Sequence, residues 1–209
     1  NWYRISATHT ATGSQTFGLK PETLKSVYVW GGQMEENNYV TSYVPTTNTI
    51  VTRTRDICKD AGNAALFNVS KLSLFIEVNN FKTNTNLFSY IVLTDGQSSP
   101  INMIRLEYRQ DRIVVVVYDN GIDKLGYNIT SVIPNQRNKL LLTFDNNEVK
   151  IYFNGVLKNT STSVPIPSGL DSLSFTNRTE SGGTFQGEVH DARVYDRVLT
   201  ETEAIKLTT

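Results

Sequence analysis

Two stretches of this chain read as β-hairpins of fixed register. Residues 102–109 and 112–118 are joined by Gln110-Asp111, and residues 139–145 and 148–153 by Asn146-Asn147. A two-residue connection sets which side chains stand opposite each other. In the first hairpin Tyr108 pairs with Ile113, Leu106 with Val115 and Ile104 with Val117, all apolar. Its reverse face carries Arg105, Glu107 and Arg109 opposite Arg112, Val114, Val116 and Tyr118. In the second, Phe144 pairs with Val149, Leu142 with Ile151 and Leu140 with Phe153, while Leu141, Thr143, Lys150 and Tyr152 share the reverse face. A hairpin with one apolar face must bury that face against another layer. The expectation is an all-β sandwich.

Further short strands are expected at 72–78, 87–94, 126–132, 170–176 and 185–195. Asn154-Gly155 is a strong type I′ turn signal, whereas Asp119-Asn120-Gly121 and Glu180 to Gly183 read as longer loops. In the last strand Val189 and Val194 have opposite parity, so both face the core only if a bulge near His190-Asp191 re-aims the chain. Thr200 and Glu203 then have the spacing of a capping box, with Leu199 and Ala204 placed as its hydrophobic staple. A short closing helix is expected there. Near the start, Trp2 to Ser6, Ser14 to Gly18 and Val27 to Trp30 read as strands, the last ended by Gly31-Gly32. Three strands make a poor core by themselves and require partners, upstream, in the rest of the chain or in another copy. The first residue, Asn1, suggests a piece of a longer protein.

The sequence has 209 residues, enough for one sandwich with a substantial core. Only 19% of residues are charged, and Asn, Thr and Ser supply the polarity, which suits short strands and many turns. Net charge is zero and no basic run occurs, so nucleic acid is not an expected partner. No apolar run reaches the ~18–20 residues that span a bilayer. One cysteine, Cys58, excludes an internal disulfide and is expected as a small buried filler. The N-x-(S/T) sites at Asn68, Asn128, Asn159 and Asn177 are no more than an Asn-, Ser- and Thr-rich chain produces by chance.

Phe185, Gly187, Arg193, Tyr195, Asp196, Arg197 and Leu199, followed by an acidic helix, resemble the closing signature of the concanavalin A-like, laminin G-like jelly roll. A second stretch, Trp30-Gly-Gly-Gln33-Met-Glu35, then Thr41-Ser-Tyr43-Val-Pro45-Thr46 and Thr52-Arg53-Thr-Arg55-Asp56, resembles a linker of bacteriophage tail-fibre and tail-spike proteins. There it joins a carbohydrate-binding-module-like sandwich to a laminin G-like domain. Here Gly32 stands for the usual Ala and Val44 for the usual Ile. The resemblance implies terminal strands of a carbohydrate-binding-module-like sandwich over 1–46, a linker over 47–58, and a laminin G-like jelly-roll β-sandwich with a short C-terminal helix over 59–209. It also implies a homotrimer on a virion tail fibre, beside other tail proteins, meeting a host-surface glycan.

Catalytic constellations are weak. Glycosidases need two carboxylates flanking the scissile bond. The nearest cluster, Glu188-Val-His190-Asp191, puts Glu188 and Asp191 at opposite parity unless a bulge intervenes. His9 and His190 lack Cys or Glu at metal-ligand spacing, and no serine sits in a nucleophile-elbow motif. Asp119-Asn-Gly-Ile-Asp123 and Asp145-Asn-Asn-Glu148 offer oxygen ligands in turns, so calcium on Asp119 and Asp123 is a candidate, although turn chemistry explains them as well.

Sugar recognition calls for an apolar platform under the ring and polar groups for its hydroxyls. Arg105, Glu107, Tyr118, Lys150 and Tyr152 form such a mixture on the reverse hairpin faces, and Tyr127 with the Asp119–Asp123 loop forms a second candidate. Trp30 and Tyr43 read as core or subunit-contact residues. The expectation is non-catalytic binding of a host-surface carbohydrate. The alternatives are a trimerising or capping module of a virion fibre, or a glycan hydrolase or lyase using Glu188 or Asp191.

Overall fold

A computed structural model describes residues 3, 5–7, 10, 12, 18, 26–34, 42–45, 49, 51, 56–67, 69–80, 89–97, 100–109, 111–132, 136–176 and 183–209. The chain divides into two compact units, Asn1–Arg55 and Asp56–Thr209.

In the first unit the described residues form no strand. Val27–Trp30, expected as a strand, has no ladder partner there, and Val27, Tyr28, Val29 and Trp30 are all exposed. Trp2, Arg4 and most of Ser14 to Gly18 lie outside the described residues. What forms instead is a small local clasp. The Val44 N–H donates to Gln33 Oε1 at 2.8 Å, and the rings of Trp30 and Tyr43 lie 4.9 Å apart. Trp30 remains 74% exposed, so it is not a core residue.

The second unit is a two-sheet antiparallel sandwich. Its strands are β1 (Lys71–Asn80), β2 (Ser89–Thr94), β3 (Met103–Tyr108), β4 (Ile113–Asp119), β5 (Ile122–Ile129), β6 (Arg137–Asp145), β7 (Glu148–Phe153), β8 (Val156–Thr162), β9 (Ser172–Ser174) and β10 (Gly187–Tyr195). A four-residue turn of helix, α1 (Ala64–Phe67), precedes them, and α2 (Glu201–Thr208) follows. The first sheet has the order β10-β1-β6-β7-β8 and the second β5-β4-β3-β2-β9. Both hairpin registers are as the sequence requires: Tyr108 faces Ile113, Leu106 Val115 and Ile104 Val117, and Phe144 faces Val149. These apolar rows meet in one core with Leu72, Leu74, Ile76, Ile91 and Leu93.

The expected bulge forms at His190. Glu77 pairs with Asp191 but Val78 with Val189, so His190 is the extra residue. Val194 lies opposite Leu74 and packs on the core, whereas Val189, opposite Val78 on the edge strand, stays 43% exposed, so only one of the two valines joins the core. Gly187 shows why a side chain is absent there: a Cβ would stand 2.2 Å from the Asn79 carbonyl oxygen.

Three expectations need correction. Asp119-Asn120-Gly121 is not a long loop; Asn120 (φ 51°) and Gly121 (φ 74°) make a tight turn in the left-handed region, so β5 starts at Ile122 rather than 126. Strand β8 was not anticipated, although the Asn154-Gly155 turn that leads into it was (φ 46° and 78°). Its mixed sequence Val-Leu-Lys-Asn-Thr-Ser-Thr has no apolar alternation because it is an edge strand. Cys58 is exposed. It lies beside β9, where the Phe175 N–H donates to its carbonyl at 2.9 Å, rather than in the core.

Helix α2 closes the outer face of the first sheet. Thr200 Oγ1 accepts from the Glu203 N–H and the Glu203 carboxylate accepts from the Thr200 N–H, the reciprocal capping box. Leu199 and Ala204 are buried against Phe75, Leu141 and Tyr152, forming a second, smaller core.

Candidate functional site

The reverse faces of the two hairpins do not form one surface. Strands β3 and β4 belong to one sheet and β6 and β7 to the other, so their outer faces look away from each other. Arg105, Glu107 and Tyr118 lie on the outer face of the second sheet, Lys150 and Tyr152 on that of the first. Tyr152 is 2% exposed under α2, and its ring is core rather than platform. Lys150 pairs with Glu148 at 3.3 Å beside a cleft of about 180 Å³ next to the start of α2. Parity alone gives each hairpin a reverse face; it does not say which side of the sandwich that face meets.

Tyr127 is also turned away from solvent binding. It stands opposite Val115, its ring packs on the core, and its hydroxyl donates to the Lys158 carbonyl of the other sheet at 2.8 Å. Asp119 faces Ile122 and Asp123 faces Tyr118 at the end of the β4–β5 turn. That turn is pinned to the preceding loop: the Asn120 N–H donates to Asn102 Oδ1 at 2.7 Å and the Gly121 N–H to the Ile101 carbonyl at 2.8 Å. Among the described residues no three His, Cys, Asp or Glu side chains converge as metal ligands.

The outer face of the second sheet keeps a coherent cluster. Residues directly opposite in an antiparallel pair share a face, which sets Tyr90 beside Glu107, Val92 and Val116 on either side of Arg105, and Tyr118 beside Met103. The Glu107 carboxylate is 7% exposed and bridges two guanidiniums, Arg105 at 2.6 Å and Arg109 at 2.7 Å. The Arg105 guanidinium also lies 5.5 Å from the Tyr90 ring centre and 6.0 Å from that of Tyr118, within cation–π range of both. Burial, then the Glu107 carboxylate, push the Tyr90 hydroxyl up, against the opposing pull of Arg105 and Arg109. Tyr90 was missed in the sequence because its strand offers no hairpin to fix its parity. The result is a fixed cation with flanking aromatic rings on a valine floor.

Glu188 and Asp191 do come to one face. The bulge at His190 leaves Glu188 opposite Asn79 and Asp191 opposite Glu77, both outward on the first sheet. Each carboxylate has a neighbour: His190 Nε2 lies 3.5 Å from Glu188, and the Arg193 guanidinium pairs with Asp191. They stand on an edge strand.

Residues 68–204 match the family model described as the concanavalin A-like lectin/glucanases superfamily, laminin G type. The chain belongs to that family. No curated protein sequence matches it. Among solved structures it is similar to the CBM40 carbohydrate-binding module of Ruminococcus gnavus IT-sialidase, bound to α2,3-sialyllactose. The identity is 16% and the TM-score 0.57, over 74% of this chain and 97% of that one. It is similar to the heptameric SAP-like pentraxin of Limulus polyphemus at 15% identity and TM-score 0.54, over 72% and 74% of the two chains. The binding domain of botulinum neurotoxin serotype G gives 18% and 0.53, over 73% of this chain and 37% of that one. Likeness at these identities is likeness of fold.

Proposed function

We propose that this chain binds a surface carbohydrate, without covalent chemistry, on the outer face of the β5-β4-β3-β2-β9 sheet. The observation that carries this is Arg105, fixed by Glu107 at 2.6 Å between the rings of Tyr90 and Tyr118. Aromatic rings take the C–H face of a pyranose, and a guanidinium and a carboxylate bond its oxygens. The family and its lectin-like neighbours support the reading. The pairing of Glu188 with His190 and Asp191 with Arg193 weighs against a hydrolase or lyase built on those carboxylates.

The setting we propose is a bacteriophage tail fibre or related adhesin, acting at the host surface as a homotrimer among other virion tail proteins. It rests on the two signatures in the order that tail-fibre proteins carry them. Several copies on one fibre then raise a weak single-site affinity through avidity. The exposed apolar residues Val27, Tyr28, Val29, Trp30 and Met34 favour a subunit contact in the first unit, and so also a trimerising role.

A glycan array probed with the whole chain tests the binding. Retention of particular glycans, lost in Arg105→Gln, is expected. Silence across the array, with the chain folded and oligomeric, retires the reading. Sedimentation of the whole chain as a monomer retires the trimer.

A further inference from the structure

The face just described carries more positive charge than sugar hydroxyls call for. Arg105, Arg109 and Arg112 all project from the β3–β4 hairpin on the outer side, the Arg109 N–H donating to the Arg112 carbonyl at 2.9 Å. Their side chains are 27%, 31% and 37% exposed. Among the described residues, two carboxylates stand against these three guanidiniums. Glu107 is engaged by Arg105 and Arg109, and Asp111, 71% exposed, lies 3.5 Å from Arg112. An exposed pair of that length contributes little, and among the described residues the hairpin end has one more cation than anion.

Partly burying two guanidiniums, those of Arg105 and Arg109, around one buried carboxylate has a desolvation cost. An arriving anion offsets that cost. The guanidinium fork also matches the planar oxygens of a carboxylate or the oxygens of a sulfate. Beside the cations lies room for a ring. Gly126 of β5 stands opposite Val116, on the same face as Arg105 and Tyr118, and the place of its Cβ is open space. From Arg112 to Tyr118 the strand runs about 20 Å, more than one sugar ring covers.

We infer that this face takes an anionic oligosaccharide. Its carboxylate or sulfate is held by Arg105 and Arg109 with Arg112 adding attraction, and its ring lies over Gly126 toward Tyr118. This rests on the reading of the same face as the glycan site. Glu107 is then a positioning residue that holds two guanidiniums in register.

The test is calorimetric titration of the whole chain with lactose, 3′-sialyllactose and a sulfated lactose. The charged sugars are expected to bind on the order of tenfold or more tightly than lactose, the value of a charge-assisted hydrogen bond or two, and to weaken as salt rises. Whichever charged probe binds better identifies the group. Arg105→Gln is expected to remove most of that preference. Because Arg105 also supports Glu107, Arg112→Gln serves as the second variant: it should weaken the charged sugars more than lactose, narrowing the gap between them. Gly126→Leu fills the open space and should block all three. Lactose binding as tightly as the charged sugars, and still blocked by Gly126→Leu, overturns the anion and keeps the glycan face. Binding of the charged sugars unaffected by Arg105→Gln, Arg112→Gln and Gly126→Leu overturns the site. No binding of either charged probe, while the array finds a neutral glycan, overturns this inference alone.

Discussion

Ser73 and Leu199 are 126 residues apart in sequence, and the Leu199 N–H donates to the Ser73 hydroxyl at 3.0 Å. The same hydroxyl donates to the Arg197 carbonyl at 2.7 Å. One fully buried serine of β1 therefore fixes the turn that launches α2. Ser73→Ala leaves a buried N–H and a carbonyl without this partner, at a cost of about 1–3 kcal/mol. Urea unfolding should show a lower midpoint with the slope unchanged.

Glu203 gives the same closure a pH dependence. Its bidentate pair with Arg197 (2.8 and 2.9 Å), then its bonds from Thr200, hold its carboxyl at about 2, against an ordinary 4.5. A depressed carboxyl contributes stability that is present above 4.5 and lost as pH falls through about 2. Glu203→Gln should therefore lower stability at neutral pH and flatten its acid dependence between those values. Thermal unfolding from pH 6 to pH 2 measures it. Parallel curves for the two proteins would refute the linkage.

Tyr108 is fully buried, edge-on to Phe185 at 5.2 Å, and its hydroxyl finds no hydrogen-bond partner among the described residues. Burial drives its pKa well above the usual tyrosine range. Tyr108→Phe keeps the ring and removes the orphaned hydroxyl. It should be neutral or stabilising by about 1 kcal/mol; a clear loss of stability would show that the hydroxyl is satisfied.

Gly187→Ala drives a Cβ into the Asn79 carbonyl, a backbone atom that moves only with β1. Overpacking of this kind costs about 1–3 kcal/mol. The variant should melt earlier, and amide exchange in β10 should accelerate more than in β7.

Much of this fold is legible in the sequence because parity and turn chemistry are local. Leu106 and Val115, or Phe144 and Val149, can be paired without knowing the rest of the chain. The bulge at His190 follows from the mismatch of Val189 and Val194, and α2 from Thr200 and Glu203. The site is less legible because it depends on which sheet each hairpin joins and what covers it. Tyr152 and Tyr118 look alike in sequence, yet a helix more than forty residues downstream of Tyr152 buries one and leaves the other beside Arg105. Tyr127 reaches the core only because the β4–β5 register slips by one residue between Val117 and Tyr118; counted from the Asn120-Gly121 turn alone it would stand opposite Val114 on the outer face. Edge strand β8 lacks the alternation that marks a half-buried strand.

The most direct test is residue-resolved amide NMR of the whole chain titrated with a glycan retained on the array. Shifts should concentrate at Tyr90, Arg105, Tyr118 and Gly126 and spare Lys150 and Tyr152. Shifts centred on Lys150 and the cleft beside α2, with the β3–β4 hairpin unmoved, would contradict the assignment of the binding face.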